Sequence, residues 1–280
     1  MNITGAAEVY GVIGFPIKHS LSPVFQNAAF SYIGIDAVYL PFEIKPENLK
    51  EAILGFRAIG VKGLNVTIPH KEAVLKLADF VSEEANSIGA ANTLKFTDGR
   101  IEAYNTDWIG FLRAAEEITQ LKGKKVLVLG AGGASRAVIY ALKKAGAYVL
   151  LWNRTIEKAY KLSEEFGVDV VENVGVSVKK ADVIVNTTSV GLKEDDKPIF
   201  DYSLIEERHT VIDIIYKETS LIKEAKRRGC KYQTGFPMLV YQGAESFRIW
   251  TGCEPPVKIM KLSLLKYGYS TDYSKTPLKI

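Results

Sequence analysis

At 280 residues the chain is long enough for two domains, and its 47% hydrophobic and 24% charged residues are ordinary for a soluble globular protein. Lysine and arginine number 36 against 32 acidic residues, a formal net charge of +4. That excess forms no basic block, which excludes nucleic acid as an expected partner and mildly suits a small acidic substrate.

In chain order, Val9–Ile13 reads as a short buried strand closed by Gly14 and Pro16. Ser22-Pro23 opens a helix, with serine as N-cap and proline at the first helical position. Ala37–Phe42 reads as a strand, Asn48–Ile59 as a helix ended by Gly60, and Leu64–Ile68 as a strand. Pro69 is expected to start a helix whose apolar face is Val74, Leu77, Ala78 and Val81. Such alternation predicts a parallel sheet covered by helices. Asn92–Phe96 and Ile101–Tyr104 bracket Asp98-Gly99, a hairpin signal. Val126–Leu129, Val149–Trp152, Val183–Asn186 and Val211–Ile215 are continuous apolar runs of the kind buried on both faces, joined by helices over Gly133–Lys144, Ile156–Phe166 and Leu221–Arg228. The fold class expected is α/β in two domains: an N-terminal α/β substrate domain and a doubly wound Rossmann-type domain. Its boundaries are 1–104, completed by C-terminal helices in 242–280, and 105–241. The stretch after Leu265 is rich in tyrosine, serine and lysine.

Cys230 and Cys253 form no C-x-x-C pair and adjoin no histidine cluster, so free thiols and no metal site are expected. The first residues lack a signal-peptide pattern, and no apolar run reaches the length of a membrane span. A cytoplasmic protein is expected.

Val126–Leu129 runs into Gly130-Ala131-Gly132-Gly133-Ala134-Ser135 and then a helix, the order that a pyrophosphate site requires. Ser135 stands where the third glycine of that fingerprint is usual, and a tight strand–helix turn is the alternative. After the next strand come Asn153-Arg154-Thr155 and, one turn on, Lys158. An acid there would hold the ribose hydroxyls of NAD, whereas these cations suit a ribose phosphate and so NADP. The alternative is solvated surface charge. Lys71 in the first turn of a helix would oppose the helix dipole, a placement that disfavours its charge and suits acid–base work; an ordinary exposed lysine is the other reading. Asp107 is either its partner or a helix N-cap. Ser20 and Ser22 at a helix start make a carboxylate site, or Ser22 is simply the cap. Asn65, Thr67, Asn92 and Gln242 add the uncharged donors and acceptors that would hold a polyhydroxylated ring.

Taken together these residues resemble the shikimate dehydrogenase family. The resemblance rests on Gly14-Phe15-Pro16-Ile17-Lys18-His19-Ser20-Leu21-Ser22-Pro23, Asn65-Val66-Thr67-Ile68-Pro69-His70-Lys71, Ile88 to Thr93, Asn105-Thr106-Asp107, Gly130 to Ala137, Asn153-Arg154-Thr155, Asn186 to Gly191 and Met238 to Gly243, in order over nearly the whole chain. It implies NADP(H)-dependent, reversible reduction of 3-dehydroshikimate to shikimate in aromatic amino acid biosynthesis. It implies Lys71 and Asp107 as the catalytic pair, and Ser20, Ser22, Asn65, Thr67, Asn92, Gln242 and Tyr216 against the substrate. For the cofactor it implies the glycine loop (Gly130, Ala131, Gly132, Gly133, Ala134), Asn153, Arg154, Thr155, Lys158, Thr188 and Ser189, with Ile214, Gly235 and Met238 on the nicotinamide side. A monomer or homodimer is expected. Two departures stand out: Gln26 replaces a frequent histidine, and the stretch from Tyr216 to Thr219 is short and lacks a proline usual after the tyrosine. Rival readings are a relative that takes quinate or prefers NAD, a non-catalytic sensor of shikimate-like ligands, and a folate-pathway dehydrogenase of similar layout.

Overall fold

The computed structural model describes residues 3–265, whose contacts divide the chain into two units, 3–110 with 240–265, and 111–239. The stretch after Leu265 singled out above lies outside the described residues.

The first unit contains β1 (Glu8–Gly14), α1 (Ser22–Ile33), β2 (Ala37–Glu43), α2 (Leu49–Ala58), β3 (Gly63–Val66), β4 (Phe80–Val81), α3 (Glu83–Ile88), β5 (Thr93–Thr97) and β6 (Arg100–Tyr104), after which α4 (Asp107–Glu116) begins. Its six strands lie in the order β2-β1-β3-β5-β6-β4. β1 is parallel to β2 and β3, but β5 is antiparallel to both β3 and β6, so the sheet is mixed, where alternation alone predicts a parallel one. The cause is the Asp98-Gly99 turn. Both residues have positive φ, +50° and +76°, the two-residue geometry that joins antiparallel neighbours. Pairing of Thr97 with Arg100 and of Thr93 with Tyr104 folds the hairpin back on itself. The Asn92 N–H then donates to the Tyr104 carbonyl, and Asn92 comes beside Asn105-Thr106-Asp107.

The helix expected from Pro69 does not form. Residues 68–72 are turns, Ala73–Leu77 is a 3-10 helix, and the edge strand β4 follows. Val74 is fully buried, and Leu75, Leu77, Ala78 and Val81 pack on the same core. The apolar positions are used as the pattern implies, but a tighter turn and a strand deliver them. Ser22 is likewise the first residue of α1 and not its cap; Leu21 holds the cap position without a side-chain bond.

The second unit runs β7 (Lys125–Leu129), α5 (Gly133–Lys144), β8 (Tyr148–Trp152), α6 (Ile156–Phe166), β9 (Asp169–Val170), α7 (Val174–Lys180), β10 (Val183–Asn186), β11 (Thr210–Asp213), α8 (Ser220–Arg227) and β12 (Lys231–Gln233). Its sheet, β12-β11-β10-β7-β8-β9, is parallel throughout. This is the doubly wound Rossmann-type arrangement expected. Strand order reverses between β7 and β10, the point in such sheets where a crevice opens at the strand C-termini.

α9 (Phe236–Thr251) carries the chain back, and α10 (Val257–Leu265) ends the described residues in the first unit. Trp250 on α9 anchors that return. Its indole N–H donates to the Leu94 carbonyl at 2.9 Å, and its ring lies 5.3 Å from Tyr10 and 6.1 Å from Tyr39. Gly63 makes room for it, since a Cβ there would sit 2.3 Å from the indole nitrogen. Among the described residues no helix is long and apolar enough to cross a membrane, and no group of three or more His, Cys, Asp or Glu could hold a metal ion.

Candidate active site

Lys71 and Asp107, 36 residues apart, meet in the first unit. The Lys71 Nζ donates to Asp107 Oδ2 at 2.6 Å, with the two side chains 21% and 11% exposed. No α-helix lies behind Lys71, so the dipole expected to act on it is missing, and its neighbour is the Asp107 carboxylate. The other oxygen, Oδ1, accepts from Asn92 Nδ2 at 2.9 Å, while Asn105 Oδ1 accepts from the Asp107 N–H. Asp107 begins α4, yet its side chain points to Lys71 and Asn92 and does not serve as a cap. Both carboxylate oxygens are thus held, and Lys71 keeps two further protons to offer.

Asn92 is the hub of this arrangement. Its Oδ1 accepts from the Thr106 N–H at 2.7 Å, and its Nδ2 also reaches Gln242 Oε1 at 3.2 Å. Asn65 lies in the same cluster, donating from Nδ2 to the Asn92 carbonyl at 3.1 Å and to Ser246 Oγ at 2.8 Å. Ser20 and Ser22 are linked, since the Ser22 N–H donates to Ser20 Oγ at 3.3 Å. The Thr67 hydroxyl makes no hydrogen bond among the described residues. Gln26, fully buried on α1, donates from Nε2 to the Gly243 carbonyl at 2.8 Å and so pins α9 beside Gln242. Gly243 is required there, because a Cβ would meet Phe25 at 2.3 Å. The structure also supplies three residues that the sequence reading missed: Tyr39, Thr93 and Ser246. All three are fully buried with their hydroxyls in the Asn65 cluster. One signal was available, since Gln242 and Ser246 are spaced i, i+4 on one helix face.

In the second unit the glycine loop lies at the sheet's switch point. Gly130 has φ +112°, and a Cβ there would meet Thr187 Oγ1 at 2.8 Å, so its glycine is demanded by backbone and packing. Gly132 and Gly133 differ. A Cβ on either would have no protein atom within 4 Å, so the space over the start of α5 is open. Ser135, in the usual third-glycine place, is buried and its hydroxyl donates to the Gly132 carbonyl, which closes the loop from below. The Ala131 N–H donates to Asn153 Oδ1 at 3.0 Å and ties the loop to the end of β8. Arg154, Thr155 and Lys158 are exposed around the start of α6. Thr188 is oriented by Asn186, whose Oδ1 accepts from the Thr188 N–H and hydroxyl, while Ser189 next to it is exposed.

The end of β11 is braced by a buried acid. Asp213 Oδ2 accepts from Thr219 at 2.7 Å and from Asn186 Nδ2 at 3.1 Å, and Oδ1 accepts from the Ile215 N–H at 3.0 Å. Burial pushes its carboxyl up to about 6 against these three bonds. Gly235 donates to the Ile215 carbonyl at 2.9 Å and must be glycine, since a Cβ would lie 1.9 Å from the Ile214 carbonyl oxygen. Ile214 and Gly235 are thereby adjacent, with Met238 in the first turn of α9; Tyr216 is 45% exposed.

Comparison with known proteins follows the same outline. The shikimate dehydrogenase substrate binding domain matches residues 12–94, the shikimate/quinate 5-dehydrogenase domain residues 113–218, and the shikimate 5'-dehydrogenase C-terminal domain residues 235–265. The chain is similar to the shikimate dehydrogenase (NADP(+)) of Aquifex aeolicus, 57% identical over 94% of this chain and 98% of that one. It is also similar to that of Methanothermobacter thermautotrophicus, 47% identical over 94% and 97%. Among solved structures, the shikimate 5-dehydrogenase of Thermus thermophilus in complex with NADP(H) and shikimate superposes with a TM-score of 0.87 at 40% identity, covering 92% of this chain and 99% of that one.

Proposed function

The chain belongs to the shikimate dehydrogenase family, and from that membership we propose that it catalyses the reversible, NADP(H)-dependent reduction of 3-dehydroshikimate to shikimate. The observation that carries the reading is the Lys71–Asp107 contact held on its far side by Asn92. The first unit is the substrate-binding catalytic domain and the second the NADP-binding domain.

Carbonyl reduction needs a hydride at carbon and a proton at oxygen. Bound NADPH supplies the hydride. Lys71 supplies the proton as the ring oxygen gains charge, and Asp107 keeps the ammonium aimed and charge-balanced; in the oxidative direction the same pair receives the proton. Ser20 and Ser22 take the substrate carboxylate, and Asn65, Thr67, Asn92 and Gln242 surround its hydroxyls. The open space over Gly132 and Gly133 suits a pyrophosphate, and the exposed Arg154 and Lys158 suit a ribose phosphate, with Asn153, Thr155, Thr188 and Ser189 around them and Ile214, Gly235 and Met238 facing the nicotinamide. We place the protein in the cytoplasm as a monomer or homodimer, a location that its two free cysteines suit.

The test follows reduced-nicotinamide absorbance with shikimate or quinate paired with NADP or NAD. Rapid shikimate-dependent reduction of NADP, with slower turnover in the other pairings, is the expected result. Preference for quinate or for NAD would move the chain to another member of the family. Binding of shikimate by folded protein without turnover in any pairing would make it a sensor.

A further inference from the structure

Behind the substrate-facing amides runs a chain of hydrogen bonds with one direction. The Tyr39 hydroxyl donates to Asn65 Oδ1 at 2.7 Å. Asn65 Nδ2 donates to Ser246 Oγ at 2.8 Å, and Ser246 Oγ donates to the Gln242 carbonyl at 3.0 Å. Of these four residues, Asn65 and Gln242 are candidate substrate ligands. Tyr39 and Ser246 are fully buried and touch none of the space outside.

Proton counting gives the consequence. Asn65 has two amide protons, and every acceptor within reach of them is internal: the Asn92 carbonyl at 3.1 Å, Thr93 Oγ1 at 3.3 Å and Ser246 Oγ at 2.8 Å. A carbonyl accepts only, so the amide cannot be reversed without setting two acceptors face to face. Asn65 Oδ1 uses one lone pair on Tyr39 and retains one. Burial holds the Tyr39 hydroxyl well above the usual tyrosine range, so it remains a donor at any working pH.

Resting on the shikimate reading, we propose that Tyr39 and Ser246 are positioning residues that fix Asn65 as a pure acceptor, so that the ligand group meeting it must be a free hydroxyl. A carbonyl, an ether or a second carboxylate at that point would face an unpaired lone pair.

Shikimate and its three ring mono-O-methyl ethers are the probes, used in steady-state kinetics and calorimetry with the native protein, Tyr39→Phe and Ser246→Ala. Tyr39→Phe removes only an oxygen. It is expected to raise the shikimate KM about tenfold, the loss of roughly one buried hydrogen bond, with kcat within about twofold and NADP affinity unchanged. Ser246→Ala should show the same split. One of the three ethers should bind the native protein far more weakly than shikimate, and its loss should not add fully to that of Tyr39→Phe. Native turnover of shikimate with an unaltered KM in both variants would overturn the inference alone. So would equal losses of shikimate and NADP affinity, or three ethers that bind as shikimate does. A native protein that neither binds nor oxidises shikimate would overturn the functional reading as well.

Discussion

Lys71 illustrates how far single residues can be read. Its motif singles it out among many lysines, but the reason first offered, a helix dipole, has no helix behind it; the carboxylate at 2.6 Å sets its position instead. Lys71→Ala should lower turnover about 100-fold or more, with circular dichroism unchanged and shikimate binding weakened less. Near-native turnover would remove Lys71 from the mechanism. Arg154 stands on composition and place alone, exposed at the start of α6. Arg154→Ala should raise the NADP KM by roughly 10- to 100-fold, the scale of charge-assisted bonds to a phosphate, and leave the NAD KM nearly unchanged. Equal changes for both cofactors would show that Arg154 does not discriminate. Tyr39 and Ser246 were not legible because a buried hydroxyl looks like any other until the strand and helix that carry it are brought together; their partners lie 26 and 181 residues away.

Elements were legible wherever one pattern had one solution. The short valine-rich runs Val126–Leu129 and Val183–Asn186 are typical of buried strands and pair as β7 and β10, and the Asp98-Gly99 turn fixed its own hairpin. Residues 69–81 failed because four apolar positions at helical spacing also suit a 3-10 turn followed by a strand, and only the core decides between them. The pairing of β3 with β5 was equally hidden, since alternation says nothing about direction once a hairpin intervenes. The contact of Gly235 with the end of β11 gives an element-scale prediction. Gly235→Ala places a methyl 1.9 Å from the Ile214 carbonyl oxygen, so β12 and the start of α9 must shift. A loss of about 3 kcal/mol in denaturant unfolding is expected, the upper range for overpacking, together with weakened cofactor binding. A change within about half a kcal/mol would mean that the backbone there yields freely.

For the whole molecule, the second unit was the more legible, because a parallel sheet with regular crossovers follows from periodicity, whereas the first unit's sheet is mixed, with β5 antiparallel to β3. Stability against pH carries the mark of Asp213. Its carboxyl is protonated up to about pH 6 when folded but only up to about 3.8 when unfolded. The native state therefore holds the extra proton in that window, and its contribution to stability falls as pH rises from about 4 through 6, by roughly 3 kcal/mol. Glu224 acts oppositely. Its bonds to Arg227 and Arg228 hold its carboxyl down to about 2, so its contribution is present above the ordinary value of 4.5 and is lost as pH falls toward 2. Thermal melts of Asp213→Asn should be less stable throughout but flatter between pH 4 and 6 than the native curve; an unchanged slope would place the titration elsewhere. The return of α9 has a further consequence, for synthesis. The cavity over Gly63 is filled by Trp250, so a ribosome finishes the second unit before it releases the residue that completes the first. Nascent chains must therefore carry an unfinished N-terminal sheet through most of translation, exposed to chaperones and proteases. A premature stop anywhere before Trp250 leaves that sheet without its plug, however intact the preceding residues are.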